Sequence, residues 1–213
     1  MTVAVKICGL KTNEAIDAAI AAGADYIGLV FFEPSPRNVS ISEARALAEH
    51  IAGRARIVAL LVNPEDMLIK RVMREVGPDI LQLHGSETPE RVSSIASLAG
   101  IPIMKAIKVE TAQDAEHALD YNGRAEIILF DAKAPEDAVL PGGNGLAFDW
   151  HALESVTGRV DYMLSGGLTP DNVADAIRLT GASAVDVSSG VESAPGVKDS
   201  ARIRAFIAAA KAL

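Results

Sequence analysis

Short apolar runs rich in β-branched residues alternate along the chain with longer segments in which alanine, leucine and isoleucine recur at helical spacing. The runs have the length and composition of strands, and the segments have the periodicity of amphipathic helices. The predicted strands are Val3–Cys8, Tyr26–Phe31, Ile57–Val62, Ile80–His84, Ile103–Lys108, Ile127–Asp131, Tyr162–Gly166 and Ala184–Ser188. The predicted helices include Glu14–Ala22, Ser42–Ala52, Glu65–Val76, Pro89–Leu98, Pro170–Leu179 and Ala201–Ala212, with a weaker one near Phe148–Ser155.

This alternation of strand and helix predicts a parallel sheet covered by helices, that is, an α/β fold. Because eight such units follow one another without a break, closure into a (β/α)8 TIM barrel is favoured, and an open doubly wound sheet is the structural alternative. The 213 residues suffice for such a barrel. No linker or shift in composition marks a second domain, so we expect residues 1–213 to form a single catalytic barrel.

Several predicted helix starts carry capping signals. Asn63, Thr88 and Thr169 each precede a proline. Proline is tolerated in the first helical turn because its missing N–H has no partner there, and the preceding polar side chain can cap the helix. Ser40 and Glu43 have the spacing of a capping box. We therefore expect a helix to begin directly after each of these four caps.

Composition narrows the functional classes. The formal net charge is −8 and no basic run occurs, so nucleic acids and anionic membranes are not expected partners. The single cysteine, Cys8, excludes an intramolecular disulfide and is typical of a reducing compartment. With no secretory leader and no apolar run of membrane-spanning length, we expect a cytoplasmic protein.

Polar residues stand where the predicted strands end. In a β/α barrel the active site lies at the carboxyl ends of the strands. Strand alternation directs Val5 and Ile7 toward the surrounding helices and Lys6 and Cys8 toward the barrel interior. The other polar residues at strand ends are Gln82, His84, Asp131, Asp186 and Ser188.

Glycine-rich corners follow the last two strands, at Ser165–Thr169 and Ser188–Glu192. Glycines let backbone N–H groups approach an anion closely, hydroxyls add donors, and a short helix after strand eight adds its dipole. Either corner alone reads equally well as a tight turn. Together, at adjacent strands, they predict a phosphate site formed by Gly166, Gly167, Ser188, Ser189 and Gly190.

Four more residues are candidates for chemistry, each with a plainer alternative. Cys8 lies near Lys6, whose charge favours the reactive thiolate, although a lone cysteine is often a small buried apolar residue. Asp131 ends an apolar run and suits a general acid, or it caps nearby backbone N–H groups. Arg37, in a proline-bracketed loop, suits bidentate carboxylate binding, or is a solvated surface side chain. His84 is expected as a hydrogen-bonding partner rather than a metal ligand.

Missing motifs limit the reaction types. The sequence contains no GxxxxGK[ST], complete GxGxxG, HExxH, CxxC or GxSxG motif. A metal site of two histidines and two carboxylates lacks its second histidine at a strand end. We therefore expect neither metal nor cofactor, and acid–base chemistry on a phosphorylated small molecule.

Eight stretches form a pattern that covers essentially the whole chain. They are Lys6–Leu10, Gly23–Gly28, Phe31–Val39, Leu81–Gly85, Phe130–Asp131, Pro141–Trp150, Leu164–Leu168 and Val185–Glu192. This pattern resembles the phosphoribosylanthranilate isomerase family of tryptophan biosynthesis, and the KICG start combined with the DVSSGVE end is very specific. One departure is Asn144, which stands where the family commonly has threonine in a GGTG loop.

The resemblance implies an enzyme that performs an Amadori rearrangement, converting N-(5-phosphoribosyl)anthranilate to 1-(2-carboxyphenylamino)-1-deoxyribulose 5-phosphate. It implies that Asp131 is the general acid that protonates the ring oxygen and that Cys8 is the general base that removes the C2 proton. Of the substrate-binding residues, it implies Arg37 for the anthranilate carboxylate and Asp186 near the sugar hydroxyls, while Gln82 and His84 fit the family pattern without a definite role. The phosphate residues are those of the two corners.

Other functions remain possible at this stage. Another phosphosugar isomerase or epimerase barrel is one, but a ribulose-phosphate epimerase expects a metal–histidine site. The aminoimidazole-carboxamide isomerase of histidine biosynthesis expects aspartates at strands one and five, where this chain has Cys8 and no acid before Glu110. A non-catalytic phosphosugar-binding barrel is another, although acid and base are both present. The sequence leaves a monomer and a homodimer open, and Lys133–Gly145 is the candidate loop to close over substrate.

Overall fold

Eight parallel strands close into a barrel in a computed structural model that describes residues 3–133, 142–143, 145 and 147–213. The strands are β1 Ala4–Cys8, β2 Tyr26–Phe31, β3 Arg56–Leu61, β4 Ile80–Leu83, β5 Ile103–Val109, β6 Ile127–Ala132, β7 Tyr162–Leu164 and β8 Ala184–Val187. Each strand pairs with its neighbours in sequence, and β1 pairs with β8 in the register Lys6↔Asp186. The predicted TIM barrel is therefore confirmed, and the open sheet is wrong.

Seven helices in the described residues cover the barrel. They are α1 Asn13–Ala22, α2 Ile41–Ile51, α3 Asp66–Glu75, α4 Pro89–Ala99, α5 Ala112–Glu116, α6 Val173–Thr180 and α7 Ser200–Lys211. The helix predicted near Phe148–Ser155 is only a 3₁₀ turn at Trp150–Leu153. Val156, Thr157 and Gly158, all poor helix formers, follow it directly. None of the helices in the described ranges is long and apolar enough to span a bilayer.

Two of the four predicted caps are confirmed. Ser40 forms a complete capping box with Glu43 at the start of α2. Thr88 accepts a hydrogen bond from the Arg91 N–H, with Pro89 in the first turn of α4. Both side chains satisfy backbone donors that have no partner within the helix.

The other two predicted caps, Asn63 and Thr169, are wrong. Both residues make hydrogen bonds within the loops and cap no helix. Asn63 has a φ of +45° and accepts a hydrogen bond from the Ser86 N–H, which ties the loop after β3 to the loop after β4. The Thr169 N–H donates to Asn172 Oδ1, and α6 begins only after Asn172. The sequence signals are the same as at Thr88, but tertiary contacts decide the outcome.

The two faces of each strand pack differently. Val5 and Ile7 are fully buried among the residues that contact the helices, whereas Lys6 and Cys8 point into the barrel, as predicted. The barrel interior contains an apolar cluster of Val58, Ile80, Met104, Ala106, Leu129 and Met163. This packed layer leaves the polar side chains at the carboxyl ends of the strands, where a ligand can reach them.

A small hairpin follows β8, and the sequence did not predict it. A 3₁₀ turn at Ser189–Val191 leads into β9 Glu192–Ala194, which pairs antiparallel with β10 Val197–Lys198. The hairpin lies between the predicted phosphate corner and α7. It adds two charged side chains, Glu192 and Lys198, to the mouth of the barrel.

Candidate active site

A cavity that is partly open to solvent lies at the carboxyl ends of the strands. It is the place where this architecture usually carries its active site. All eleven residues predicted as site residues line it, namely Cys8, Arg37, Gln82, His84, Asp131, Gly166, Gly167, Asp186, Ser188, Ser189 and Gly190. Residues that lie up to about 180 positions apart in sequence therefore face one space.

Lys6 and Asp186 form a buried ion pair below Cys8. Lys6 Nζ lies 2.8 Å from Asp186 Oδ1, and the lysine side chain has no exposed surface. Ser165 Oγ donates to the other oxygen, Asp186 Oδ2, over 3.2 Å. Burial acts to lower the pKa of Lys6, but Asp186 and Cys8 outweigh it and raise the pKa above its usual value. Lys6 is therefore a fixed cation under the site.

The Cys8 thiol is not activated in the way that the sequence suggested. Burial raises its pKa, and Asp186 raises it further, whereas Lys6 and Lys198 act in the opposite direction without compensating. Lys6 does favour the thiolate, as expected, but burial of the thiol outweighs it. Cys8 is therefore a neutral thiol at pH 7 in this structure.

Asp131, His84 and Gln82 form a row along the ends of β4 and β6. Asp131 Oδ1 accepts a hydrogen bond from the Ala132 N–H at 3.0 Å. Asp131 Oδ2 lies 3.2 Å from His84 Nε2, without the alignment of a hydrogen bond. The side-chain amide of Gln82 lies 3.0 Å from His84 Nδ1 and holds the ring with Nε2 facing Asp131.

A buried ion pair supports the loop that carries His84, and sequence analysis missed it. Lys105 Nζ lies 2.8 Å from Glu87 Oε2 and donates at the same distance to the Gly85 carbonyl. Glu87 Oε1 accepts hydrogen bonds from the backbone N–H groups of Asn63 and Gly85. The pair lies outside the barrel wall, so its effect on the site is to fix the backbone after β4.

Arg37 is buried at the rim and is held by Glu192. Its Nε donates to Glu192 Oε1 at 2.8 Å and its Nη2 to Glu192 Oε2 at 2.9 Å. Nη2 also donates to the Gly143 carbonyl at 3.2 Å. The alternative of a solvated surface arginine is therefore wrong, since only 6% of the residue is exposed.

Lys198 completes this charged cluster. Its Nζ donates to Glu192 Oε1 at 2.8 Å, to the Ser188 carbonyl at 2.8 Å and to Ser188 Oγ at 3.1 Å. Burial acts to raise the pKa of Glu192, but hydrogen bonds and charges from Arg37 and Lys198 outweigh it and lower the pKa. Glu192 lies in a stretch that the sequence singled out, but nothing in the sequence marks Lys198.

The two glycine corners meet at one side of the cavity. Gly167 has a positive φ, and a Cβ at Gly190 would overlap the Leu168 carbonyl oxygen, so a side chain cannot be placed there. In the described ranges the backbone N–H groups of Gly167, Ser189 and Gly190 make no hydrogen bond. Unpaired backbone donors that converge beside hydroxyls can bind a phosphate.

The loop after β6 approaches the acid side of the cavity. Its described residues include Gly142 and Gly143, and a Cβ at Gly142 would overlap both Asp131 Oδ2 and the His84 ring. Glycine is therefore required for the loop to come this close. Asn144 lies outside the described residues, as does most of the predicted closing loop.

Comparison with known proteins agrees with this site. The family model of N-(5'phosphoribosyl)anthranilate (PRA) isomerase matches residues 5–209. N-(5'-phosphoribosyl)anthranilate isomerase from Rhodopseudomonas palustris (strain HaA2) is 53% identical over all of this chain and 97% of its own length. The protein of that name from Paramagnetospirillum magneticum (strain ATCC 700264 / AMB-1) is 54% identical, covering 99% of this chain and 98% of its own.

Solved structures give the same result. Phosphoribosyl anthranilate isomerase from Thermotoga maritima has a TM-score of 0.90 and 39% identity, covering 99% of this chain and all of that one. A phosphoribosyl anthranilate isomerase in complex with reduced 1-(o-carboxyphenylamino)-1-deoxyribulose 5-phosphate has a TM-score of 0.87 and 37% identity, with the same coverage. With sequence and fold in agreement over nearly its full length, the chain belongs to the N-(5'-phosphoribosyl)anthranilate isomerase family.

Proposed function

We propose that this chain is the isomerase of tryptophan biosynthesis that converts N-(5'-phosphoribosyl)anthranilate to 1-(2-carboxyphenylamino)-1-deoxyribulose 5-phosphate. The observation that carries the proposal is one cavity with Asp131 and Cys8 facing it, a buried arginine at its rim and unpaired backbone donors at the glycine corners. The ligand of the solved relative, a reduced form of that product, has a carboxylate and a phosphate that match the two ends. No cofactor is needed, since the reaction only moves protons and electron pairs.

Asp131 acts first, as the general acid. It transfers its proton to the ring oxygen of the ribose, and that oxygen takes the electron pair of the breaking C1–O bond. The nitrogen lone pair of the substrate forms a double bond to C1, so the ring opens to a protonated Schiff base. His84, whose Nε2 lies 3.2 Å from Asp131 Oδ2, interacts with the carboxylate that remains.

Cys8 acts second, as the general base. Its thiolate removes the proton from C2, and the electron pair of that C–H bond forms the C1=C2 double bond while the π electrons of the C=N bond return to nitrogen. The resulting enolamine tautomerises to the ketone of the product. Lys6, fixed beneath the thiol, stabilises the thiolate when it forms.

Binding groups at both ends hold the sugar between acid and base. The corners with Gly166, Gly167, Ser188, Ser189 and Gly190 bind the phosphate. Arg37 binds the anthranilate carboxylate, and Asp186 lies near the sugar hydroxyls. Anchoring both ends fixes the orientation of the reacting carbons, which lowers the entropic part of the barrier.

The pKa of Cys8 determines the expected pH dependence. Catalysis needs the deprotonated base, and burial raises the pKa of the thiol. We therefore expect the Cys8 thiolate of the free enzyme to form only above about pH 8.5, the ordinary pKa of cysteine. The ultraviolet absorbance of the thiolate, measured from pH 6 to 10 as the difference between the wild type and Cys8→Ser with unfolding checked at each pH, tests this. Full ionisation of the thiol below pH 7 would contradict the raised pKa.

Removing the guanidinium of Arg37 should weaken substrate binding. In Arg37→Ala, we expect KM to rise by about 10-fold to 100-fold, the effect of losing a charge-assisted hydrogen bond of about 1.5–3 kcal/mol. Steady-state kinetics on this variant and on the control Arg45→Ala, an exposed arginine, measure it. If the variant lost thermal stability but kept KM and kcat, the carboxylate role would be wrong.

A direct assay tests the function as a whole. Purified protein is mixed with freshly generated N-(5'-phosphoribosyl)anthranilate, and loss of anthranilate-type fluorescence is followed with product identified by mass spectrometry. Turnover to the aminodeoxyribulose phosphate is expected. Well-folded protein that binds the reduced product but does not turn over substrate would indicate a non-catalytic phosphosugar-binding barrel instead.

We propose further that residues 1–213 act as one catalytic domain, in the cytoplasm, as a monomer or homodimer. One solved relative from Thermotoga maritima is described as monomers generated from a dimeric phosphoribosylanthranilate isomerase, which supports keeping both states open. Light scattering coupled to size-exclusion chromatography distinguishes them.

A further inference from the structure

Glu192 and Lys198 lie beside the proposed carboxylate subsite, and the mechanism above assigns neither a role. Both side chains are almost completely buried, with 4% and 3% of their surfaces exposed. Burying charged groups costs free energy unless each is paired. Here an acid occupies the edge of Arg37 that a bidentate carboxylate ligand would otherwise use.

This pairing leaves one nitrogen of Arg37 for a ligand. Nε and Nη2 are occupied by Glu192, and Nη2 also by the Gly143 carbonyl. Within the described residues Nη1 makes no hydrogen bond, and Arg37 lines the cavity. A Cβ at Gly143 would lie 2.7 Å from Nη1, so the glycine keeps side chains away from that nitrogen.

Lys198 restores the charge that Glu192 removes. An arginine paired with one carboxylate has lost most of its net attraction for an anion. Lys198 shares the same carboxylate, and its other two N–H groups donate to the carbonyl and hydroxyl of Ser188. Burial lowers the pKa of Lys198 and Glu192 opposes that shift, while three acceptors match the three N–H groups of the ammonium form. In that form Arg37, Glu192 and Lys198 together carry one net positive charge.

We propose that Glu192 is a positioning residue that fixes the guanidinium of Arg37 with Nη1 toward the substrate carboxylate, and that Lys198 keeps the pair cationic. This inference rests on the proposed function. Because Lys198 also donates to Ser188, the carboxylate and phosphate ends of the site share one support. Recognition of the carboxylate then depends on the orientation of Arg37 as well as on its charge.

Two ligands that differ only in the carboxyl group distinguish a positioning role of Glu192 from a general effect on stability. The dissociation constants of reduced 1-(o-carboxyphenylamino)-1-deoxyribulose 5-phosphate and of its phenylamino analogue without the carboxyl group are measured by calorimetry. Glutamine keeps only one of the two acceptor oxygens that hold Arg37. In Glu192→Gln we therefore expect the Kd of the carboxylated ligand to rise about 10-fold, while the Kd of the analogue changes less than about 2-fold. The exposed Glu154→Gln is the matched control.

Lys198→Met gives a second, different pattern. It removes the compensating charge and also the donor to Ser188, so both the carboxylated ligand and inorganic phosphate should bind about 10-fold more weakly. The exposed Lys70→Met is its control. Glu192→Asp, which keeps the charge but shortens the reach, should show a smaller selective loss than the glutamine variant, and serves if that variant does not fold.

The outcomes that overturn the inference are distinct from failure of the proposed function. Equal loss of both ligands in the Glu192 variants would mean a merely structural role, and unchanged or tighter binding of the carboxylated ligand would exclude positioning. If the wild type turns over substrate, either result in the Glu192 variants rejects the role of Glu192 and leaves the proposed function intact. A wild type that neither turns over substrate nor prefers the carboxylated ligand rejects the proposed function itself.

Discussion

Replacing Cys8 with serine is expected to lower kcat by at least about 10²-fold, the usual contribution of a general base. A serine hydroxyl fits the same space, but it does not deprotonate at any pH that the protein tolerates. KM should change little, because the anchors at the two ends of the substrate are intact. Stopped-flow or steady-state fluorescence with N-(5'-phosphoribosyl)anthranilate measures the effect.

Two checks make the Cys8 result specific. The serine variant should keep its melting temperature and its affinity for the reduced product, since the apolar contact of Cys8 to Val30 and Leu60 is small and a hydroxyl can still accept a hydrogen bond from Lys6. Its residual rate should also lose the dependence on pH that titration of the thiol imposes. Turnover close to that of the wild type would remove Cys8 from the mechanism.

Replacing Asp131 with asparagine is expected to be equally damaging, with kcat reduced by at least about 10²-fold. The amide oxygen still accepts the Ala132 N–H, so the local backbone is preserved. An amide cannot deliver a proton to the ring oxygen, and ring opening therefore fails. Kinetics of Asp131→Asn beside those of the control Asp175→Asn, an exposed aspartate, measure the loss.

The alternative role of Asp131 gives a different result. If the carboxylate only caps the Ala132 N–H, the asparagine variant should keep its kcat, because the amide caps as well. Activity within a few-fold of the wild type would therefore assign Asp131 to structure. A large loss of kcat with unchanged affinity for the reduced product assigns it to catalysis.

The barrel and the content of its cavity were predictable because they depend on local patterns. Alternation along β1 is enough to separate Val5 and Ile7 from Lys6 and Cys8, and the known location of active sites in such barrels then brings the strand ends together. The glycine corners were predictable for the same reason, since the conformation of Gly167 is a local property of the chain.

What the sequence could not reveal depends on contacts between distant residues. The sequence shows Lys6 near Cys8, but it shows neither the burial that raises the pKa of the thiol most nor Asp186, 180 residues from Lys6, which raises it further. The clamp of Glu192 on Arg37 joins residues 155 positions apart. Asn63 likewise accepts a hydrogen bond from the distant Ser86 N–H and does not cap a helix, which the local sequence does not reveal.

The pairing of β1 with β8 has a consequence for how activity arises as the chain is made. The residue proposed as the base is synthesised among the first, yet Ser188 Oγ donates to the Cys8 carbonyl and Asp186 binds Lys6 only once β8 has docked. Closing so long a loop is slow and costly in entropy. A nascent or truncated chain that ends before β8 can therefore hold the base but only one of the two glycine corners of the phosphate site, and enzymatic competence appears together with the final step of folding.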